Sequence, residues 1–409
     1  MKSRFAITGV TASEILDSRG NPTLSVTVST DAAQGTFSVP SGASTGVHEA
    51  WEKRDGDQKR FRGLGVQKAV ADVRTVLARN VKGKDVRRQK DLDDLLCAAD
   101  GTPNKRRLGA NALLGVSIAS AKAAAAAEGS SVHGYLSRMM KTKPQAPRLF
   151  MNVINAGKHA SSYLAFQEYM IVPLADTVEE GLIIADKVRA ELRTQVKKCY
   201  SPFSANYGDE GGFVIEARKV AEPLEILASV IAKLHLKGKV MLAIDSAASS
   251  FYRNGKYDVD GKRMSRNDLL KLYGSLIKKY PLLSIEDPFD EEDFEGFARL
   301  HAAHRGIKVI GDDLTVTNPD RLEQALERGS INGIIIKPNQ IGTLSETLEV
   351  MKMADEAHVA CVVSHRSGET NDDFIADLAY AFGAFGLKAG APNRGERVAK
   401  YNRLWRITS

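Results

Sequence analysis

Cysteine is scarce in this chain of 409 residues: Cys97, Cys199 and Cys361 make an odd number and show no CxxC spacing. That argues against a disulfide framework and a structural zinc site, and leaves buried, reduced thiols as the expectation. Aromatic residues amount to 7%, and the basic clusters Lys82 to Lys90 and Lys105-Arg106-Arg107 contain none. The net charge of +7 therefore reads as solvated faces that steer an anionic substrate, and nucleic acid is not an expected partner. Neither a P-loop nor a GxGxxG occurs, which gives no support to a nucleotide cofactor. The longest run of small residues, Ala123 to Ala127, follows Lys122 and is too short to span a bilayer. No positively charged start followed by an apolar signal core is seen near Met1, so the expected location is cytoplasmic, without a membrane partner.

What is present is a set of apolar runs of strand length that end abruptly in polar residues. Leu282 to Ile285 runs into Glu286-Asp287, Ile307 to Gly311 into Asp312-Asp313, and Val240 to Ile244 into Asp245. Ile334 to Ile336 ends at Lys337, Ala360 to Val363 at Ser364-His365-Arg366, and, more weakly, Phe385 to Leu387 at Lys388. The tips recur roughly every 25 to 40 residues with helical patterns between most of them, the rhythm of a parallel (β/α) barrel whose chemistry sits at the C-terminal strand ends. Single acids after strands are commonly helix N-caps. Several acids, lysines and a histidine in one register are better read as a hard-cation site faced by acid–base groups, because lysines ending buried strands need partners.

At 44.4 kDa the chain exceeds a barrel of about 250 residues and leaves room for a second domain. Hydrophobic residues at 43% and charged residues at 26% belong to an ordered chain. The first part reads as α+β. Leu24, Val26 and Val28 alternate with polar residues as a strand with one buried face, and helical patterns follow at about 64 to 80 and 108 to 128. Between them, Pro40 to Gly46 is a loop of small residues and hydroxyls suited to folding over a ligand. Lys141 to Pro147 is the expected boundary, giving a capping domain over 1–140 and a catalytic barrel over 141–409. Further on, strands are expected at Arg148 to Ile154 and around Phe166 to Met170, and a helix over 178 to 198 with Thr177 and Glu180 in capping-box spacing. Gly208-Asp209-Glu210-Gly211-Gly212 sets two acids between glycines, which lets backbone and carboxylates crowd a small site.

Together, Asp17 to Thr23, Val39 to Gly46, Gln167-Glu168, Gly208 to Phe213, Ser284 to Pro288, Gly311 to Asn318, Lys337 to Gly342 and Ser364 to Thr370 resemble the enolase family, from about residue 5 to the end. The resemblance implies an N-terminal α+β capping domain on a (β/α)8-type barrel, and the Mg²⁺-dependent, reversible dehydration of 2-phosphoglycerate to phosphoenolpyruvate. It implies two Mg²⁺ per site, one held by Asp245, Glu286 and Asp312 and the second touched by Ser44, and a homodimer or higher homo-oligomer. Lys337 would be the base and Glu210 the acid, with Glu168, Gln167 and His159 near the same end of the substrate. His365, Arg366 and Ser367 would meet the phosphate, and Lys388 the carboxylate. The cations should depress the pKa of Lys337, while Glu168 should raise that of Glu210.

The chain departs from the family pattern at Ser250, where Glu is usual, at Ala389, where Thr is usual, at Ala156, a common Gly, and at Ser25, often a Glu across the dimer contact. The first two motivate a rival reading, an enolase-like enzyme acting on a phosphonate or related analogue. A further rival is a non-catalytic binding or structural role for the same fold.

Overall fold

The structure, a computed structural model, describes residues 3–42, 46–160, 162–200 and 205–409. Its N-terminal part begins with an antiparallel sheet of β1 (Ile7–Leu16), β2 (Pro22–Thr30) and β3 (Gln34–Ser38). Along β2, buried Leu24, Val26 and Val28 alternate with partly exposed residues, as the period-two pattern requires. The buried face is covered by the helix Ala110–Ala127, an 18-residue alanine-rich rod that is apolar all round and almost wholly buried. Among the described helices it alone is long and apolar enough to cross a membrane, but 89% of it is buried inside the protein, the condition of a core helix. Small residues allow the close approach: a Cβ on Gly35 would collide with the backbone of Ala119 and Ala123.

Eight further strands close into a barrel: β4 (Arg148–Asn155), β5 (Glu168–Pro173), β6 (Val240–Asp245), β10 (Leu282–Glu286), β11 (Lys308–Gly311), β12 (Gly333–Ile336), β13 (Ala360–Ser364) and β14 (Gly386–Lys388). The intervening β7 (Tyr252–Arg253), β8 (Lys256–Val259) and β9 (Lys262–Met264) form a small separate sheet. Phe150, Met170, Val172, Ala243, Ile310, Ile335 and Val362 fill the barrel interior, so it is a packed core and not a pore. The expectation of an all-parallel barrel needs correction at one strand, since β5 runs antiparallel to both β4 and β6. Among its described residues the link from β4 to β5 contains only a single turn of 3-10 helix, at Gly157–His159, and a connection this short returns the chain in the opposite direction. The start of β5 therefore lies at the same mouth as the ends of its neighbours, and Glu168 sits beside both Asn155 and Asp245.

The N-terminal part is joined to the barrel by directed polar contacts. Ser41 and Gly368 exchange backbone hydrogen bonds of 2.7 and 2.8 Å. Asp93, fully buried, accepts from Ser345 N at 2.9 Å and so caps the helix Leu344–Glu356 from another helix. Lys105, expected on a solvated basic face, is instead buried and paired with Glu346 of that helix. Of the thiols expected to be buried, Cys361 is, Cys97 is partly exposed and Cys199 is exposed. Residues 141–147 between the two parts carry no regular strand or helix.

Candidate active site

The polar strand tips converge. Asp245, Glu286, Asp312, His365, Arg366, Ser367 and Lys388 are all buried at one mouth of the barrel, joined by Glu168 at the start of β5 and Gln167 just before it. Register explains the convergence, because Glu286 pairs with Asp245 across β10 and β6, and Asp245 with Glu168 across β6 and β5. Lys388 Nζ stands among them, 2.9 Å from both Glu286 oxygens, 3.0 Å from Glu168 and 3.6 Å from Asp245. Burial pulls its pKa down, but Glu168 and Glu286 outweigh this and hold it well above the usual lysine value. Glu286 is pushed well above the carboxylate range by burial and by Asp245, with Lys388 opposing. One ammonium thus faces more carboxylates than it can neutralise.

Lys337 follows β12 and pairs with Asp312. Its pKa is raised: burial acts downward, and the Asp312 carboxylate overcomes it. The depression expected from sequence was assigned to bound cations; among the protein's own groups the carboxylate partner dominates. Asp312 moves down despite its burial because of Lys337 and then Lys388. It is oriented by Gln340, whose Nε2 donates to Oδ1 at 2.9 Å. Asp287 accepts from the Asp312 and Asp313 N–H groups at 2.9 and 2.7 Å, fixing the turn that presents Asp312.

A second focus is formed by His159, Glu168 and Glu210. The Nδ1 of His159 lies 3.3 Å from Glu168 and 3.5 Å from Glu210, close to both without a well-directed hydrogen bond to either. Burial opposes its charge, but Glu210 and Glu168 push its pKa up to about 10. Glu210 was expected to be raised, and the structure reverses this. Burial acts upward on Glu210, yet the His159 imidazolium, with Arg397 behind it, brings it well below the carboxylate range, while burial and Glu210 together raise Glu168. Asn152 Nδ2 donates to Glu210 at 2.8 Å. The flanking glycines act as expected: a Cβ on Gly212 would stand 2.6 Å from Asn155 Oδ1, and Gly211 has φ of +83°.

The raised pKa of His159 makes a prediction. Its stabilising contribution is fully present below about 6.5 and is lost as pH rises toward about 10. The melting temperature of His159→Gln should therefore fall short of wild type most at pH 6 to 7 and converge on it toward pH 10. A gap independent of pH would contradict the ion-pair reading.

Arg397, absent from the sequence reading, organises the far side. It is fully buried, and its Nη1 donates to His365 Nδ1 at 2.5 Å and to Arg366 O at 2.6 Å, while Nη2 donates to Ser367 O at 2.7 Å. With Nδ1 accepting, the His365 proton belongs on Nε2, which faces Glu210 Oε1 at 3.6 Å. Burial and Arg397 hold His365 neutral, well below its ordinary pKa. Gln167 Nε2 donates to Asp245 at 3.2 Å. Ser44 lies outside the described residues.

Two acidic groupings among the described residues have ligand atoms close enough to share a metal ion, Asp287, Asp312 and Asp313, and His159, Glu168 and Glu210; the expected ligands Asp245, Glu286 and Asp312 do not form such a grouping here, their carboxylates being engaged by Lys388 and Lys337. The free volume among the tip residues is about 20 Å³, enough for a water molecule. A larger cleft of about 1280 Å³ lies between helices Gln89–Asp100 and Leu344–Glu356. Its charges are largely paired with one another, as in Lys90–Asp94 and Lys352–Glu356, and the strand tips lie elsewhere.

Buried acids, lysines and an arginine at the strand-end mouth of a closed barrel define a barrel enzyme that performs acid–base chemistry on an anionic substrate. Two family profiles divide the chain between them, the enolase N-terminal domain over residues 7–136 and the enolase C-terminal TIM barrel domain over residues 144–409. Enolase from Thermococcus gammatolerans is 48% identical over 413 residues, covering 100% of this chain and 95% of its own. Enolase from Methanocaldococcus jannaschii is 46% identical at 100% and 96% coverage, and enolase B from Dictyostelium discoideum 44% at 98% and 94%. The chain belongs to the enolase family. It is a glycolytic hydro-lyase that interconverts 2-phosphoglycerate and phosphoenolpyruvate. Ala389 is fully buried and Ser250 lies in the turn after β6; neither lines the space between the tip residues.

Proposed function

We propose that dehydration is carried out by the residues at the strand tips, in the roles the family resemblance implies. The observation that carries this reading is the convergence of Asp245, Glu286 and Asp312 with Lys337 and Lys388 at one mouth of the barrel. Carboxylate oxygens without thiolates suit a hard divalent cation, and the surplus of buried carboxylate over ammonium favours binding one. Asp245, Glu286 and Asp312 would hold Mg²⁺, with Ser44 near a second ion. Bound there, Mg²⁺ would supply positive charge to the substrate carboxylate as its neighbouring proton leaves, the strategy general to enolase-superfamily sites.

Lys337 takes that proton. To act as a base it must give up the ion pair that keeps it charged, and a cation claiming Asp312 favours this. Lys388 meets the substrate carboxylate, while His365, Arg366 and Ser367 meet the phosphate. Glu210 faces the leaving hydroxyl. Glu168 and His159 stand beside it at that end of the substrate, with His159 Nδ1 3.3 Å from Glu168 and 3.5 Å from Glu210. The 1–140 cap and 141–409 barrel division, a homodimer and a cytoplasmic location complete the reading.

Removing Mg²⁺ with a chelator should abolish turnover and adding it back should restore it. Glu286→Gln should raise the Mg²⁺ concentration needed for half-maximal activity by about tenfold or more. Full activity in excess chelator would refute the metal assignment.

A further inference from the structure

Arg366 meets a carboxylate from the opposite end of the chain. Glu49 Oε2 accepts from Arg366 Nη1 and Glu49 Oε1 from Nη2, both at 3.0 Å, a two-bond fork across the end of the guanidinium. The side chains are only 3% and 8% exposed. Nη1 also donates to Asn339 Oδ1 at 2.9 Å. Glu49 is held in turn by Gly46 N at 3.2 Å and Gln340 Nε2 at 3.4 Å, and the next residue donates from Ala50 N to Gln340 O at 2.8 Å. The pair is therefore built into the docking of residues 46–50 on the barrel. Neither proton transfer nor metal binding calls for it.

We propose that Glu49 is an internal anion that competes with the substrate phosphate for Arg366 and so sets how strongly an anion must bind to occupy that position. This deepens the reading of Arg366 as a phosphate contact and rests on it. The end of a guanidinium accepts one bidentate oxyanion at a time, so an incoming anion must displace the tethered carboxylate or weaken its hold. A tethered group presents itself at an effective concentration of order millimolar or more. A weakly held monoanion such as nitrate brings no more charge than Glu49 and loses the contest. A phosphoryl group carries about −1.5 to −2 charges and three acceptor oxygens, and gains enough to win. Glu49 is thus a positioning residue acting through Arg366, and it keeps ordinary monoanions out of the phosphate position.

The test is calorimetric titration of the full chain with inorganic phosphate, and separately with nitrate, in wild type, Glu49→Gln, Arg366→Ala and the double variant. Glu49→Gln should tighten phosphate by about tenfold, bring nitrate into the measurable range and lower KM for 2-phosphoglycerate without raising kcat. Unchanged or weaker phosphate binding in a variant that melts like wild type would overturn the proposal, since a purely structural or orienting role predicts that result. Should Glu49→Gln fail to fold, Glu49→Asp, too short to span both nitrogens in place, serves instead: tightening supports competition and its absence overturns it. Arg366→Ala should abolish phosphate binding in both backgrounds. If it does not, the phosphate assignment of Arg366 fails, whatever Glu49→Gln shows.

Discussion

Replacing Lys337 by alanine is expected to lower kcat by about 10³-fold or more, since a general base positioned in the transition state contributes on the order of 10² to 10⁴. The same variant should stop exchange of the substrate C2 hydrogen with solvent, because no other amine stands in its place. Lys388, the other lysine of the mouth, is held among Glu286, Glu168 and Asp245. Deuterium exchange at C2, followed by magnetic resonance alongside turnover, checks both statements. Retained exchange in Lys337→Ala would move the base elsewhere.

Glu210→Gln should separate the two halves of the reaction. Dehydration is expected to fall by about 10² to 10⁴, because the amide has no carboxylic proton to give the leaving hydroxyl. C2 exchange should persist, because Lys337 and Asp312 are untouched on the other side. The amide keeps the bulk of the carboxylate, and its oxygen can still accept from Asn152, which now reaches Glu210 at 2.8 Å, so a folded variant is expected. Loss of exchange together with dehydration would mean that Glu210 serves the first step as well.

The strand tips were legible because a buried strand ending in a carboxylate or a lysine breaks its own pattern at one position, and register then gathers such positions at one mouth. The helix Ala110–Ala127 and the cap at Thr177, which accepts from Glu180 N at 3.1 Å, were legible for the same local reason. Arg397 was not. In sequence it is one more basic residue in a helix bearing Lys400, Arg403 and Arg406, and only the fold brings it to carbonyls some thirty residues earlier. Glu49 was hidden similarly, its partner lying 317 positions away.

Direction of titration was the other gap. Sequence can place Glu168 near Glu210 but cannot give the balance of burial and charge around each, and that balance lowers Glu210 and raises Glu168. The reversed β5 escaped the period-based reading because strand direction leaves no mark on hydrophobic alternation. The shortness of its connection was the available signal.

The most direct test of the account is phosphoenolpyruvate absorbance after adding 2-phosphoglycerate to the purified protein, with Mg²⁺ and with chelator, wild type beside Lys337→Ala. The account predicts turnover that requires Mg²⁺ and disappears with Lys337. A folded, Mg²⁺-loaded wild type that forms no phosphoenolpyruvate, or a Lys337→Ala variant that forms it at the wild-type rate, would contradict it.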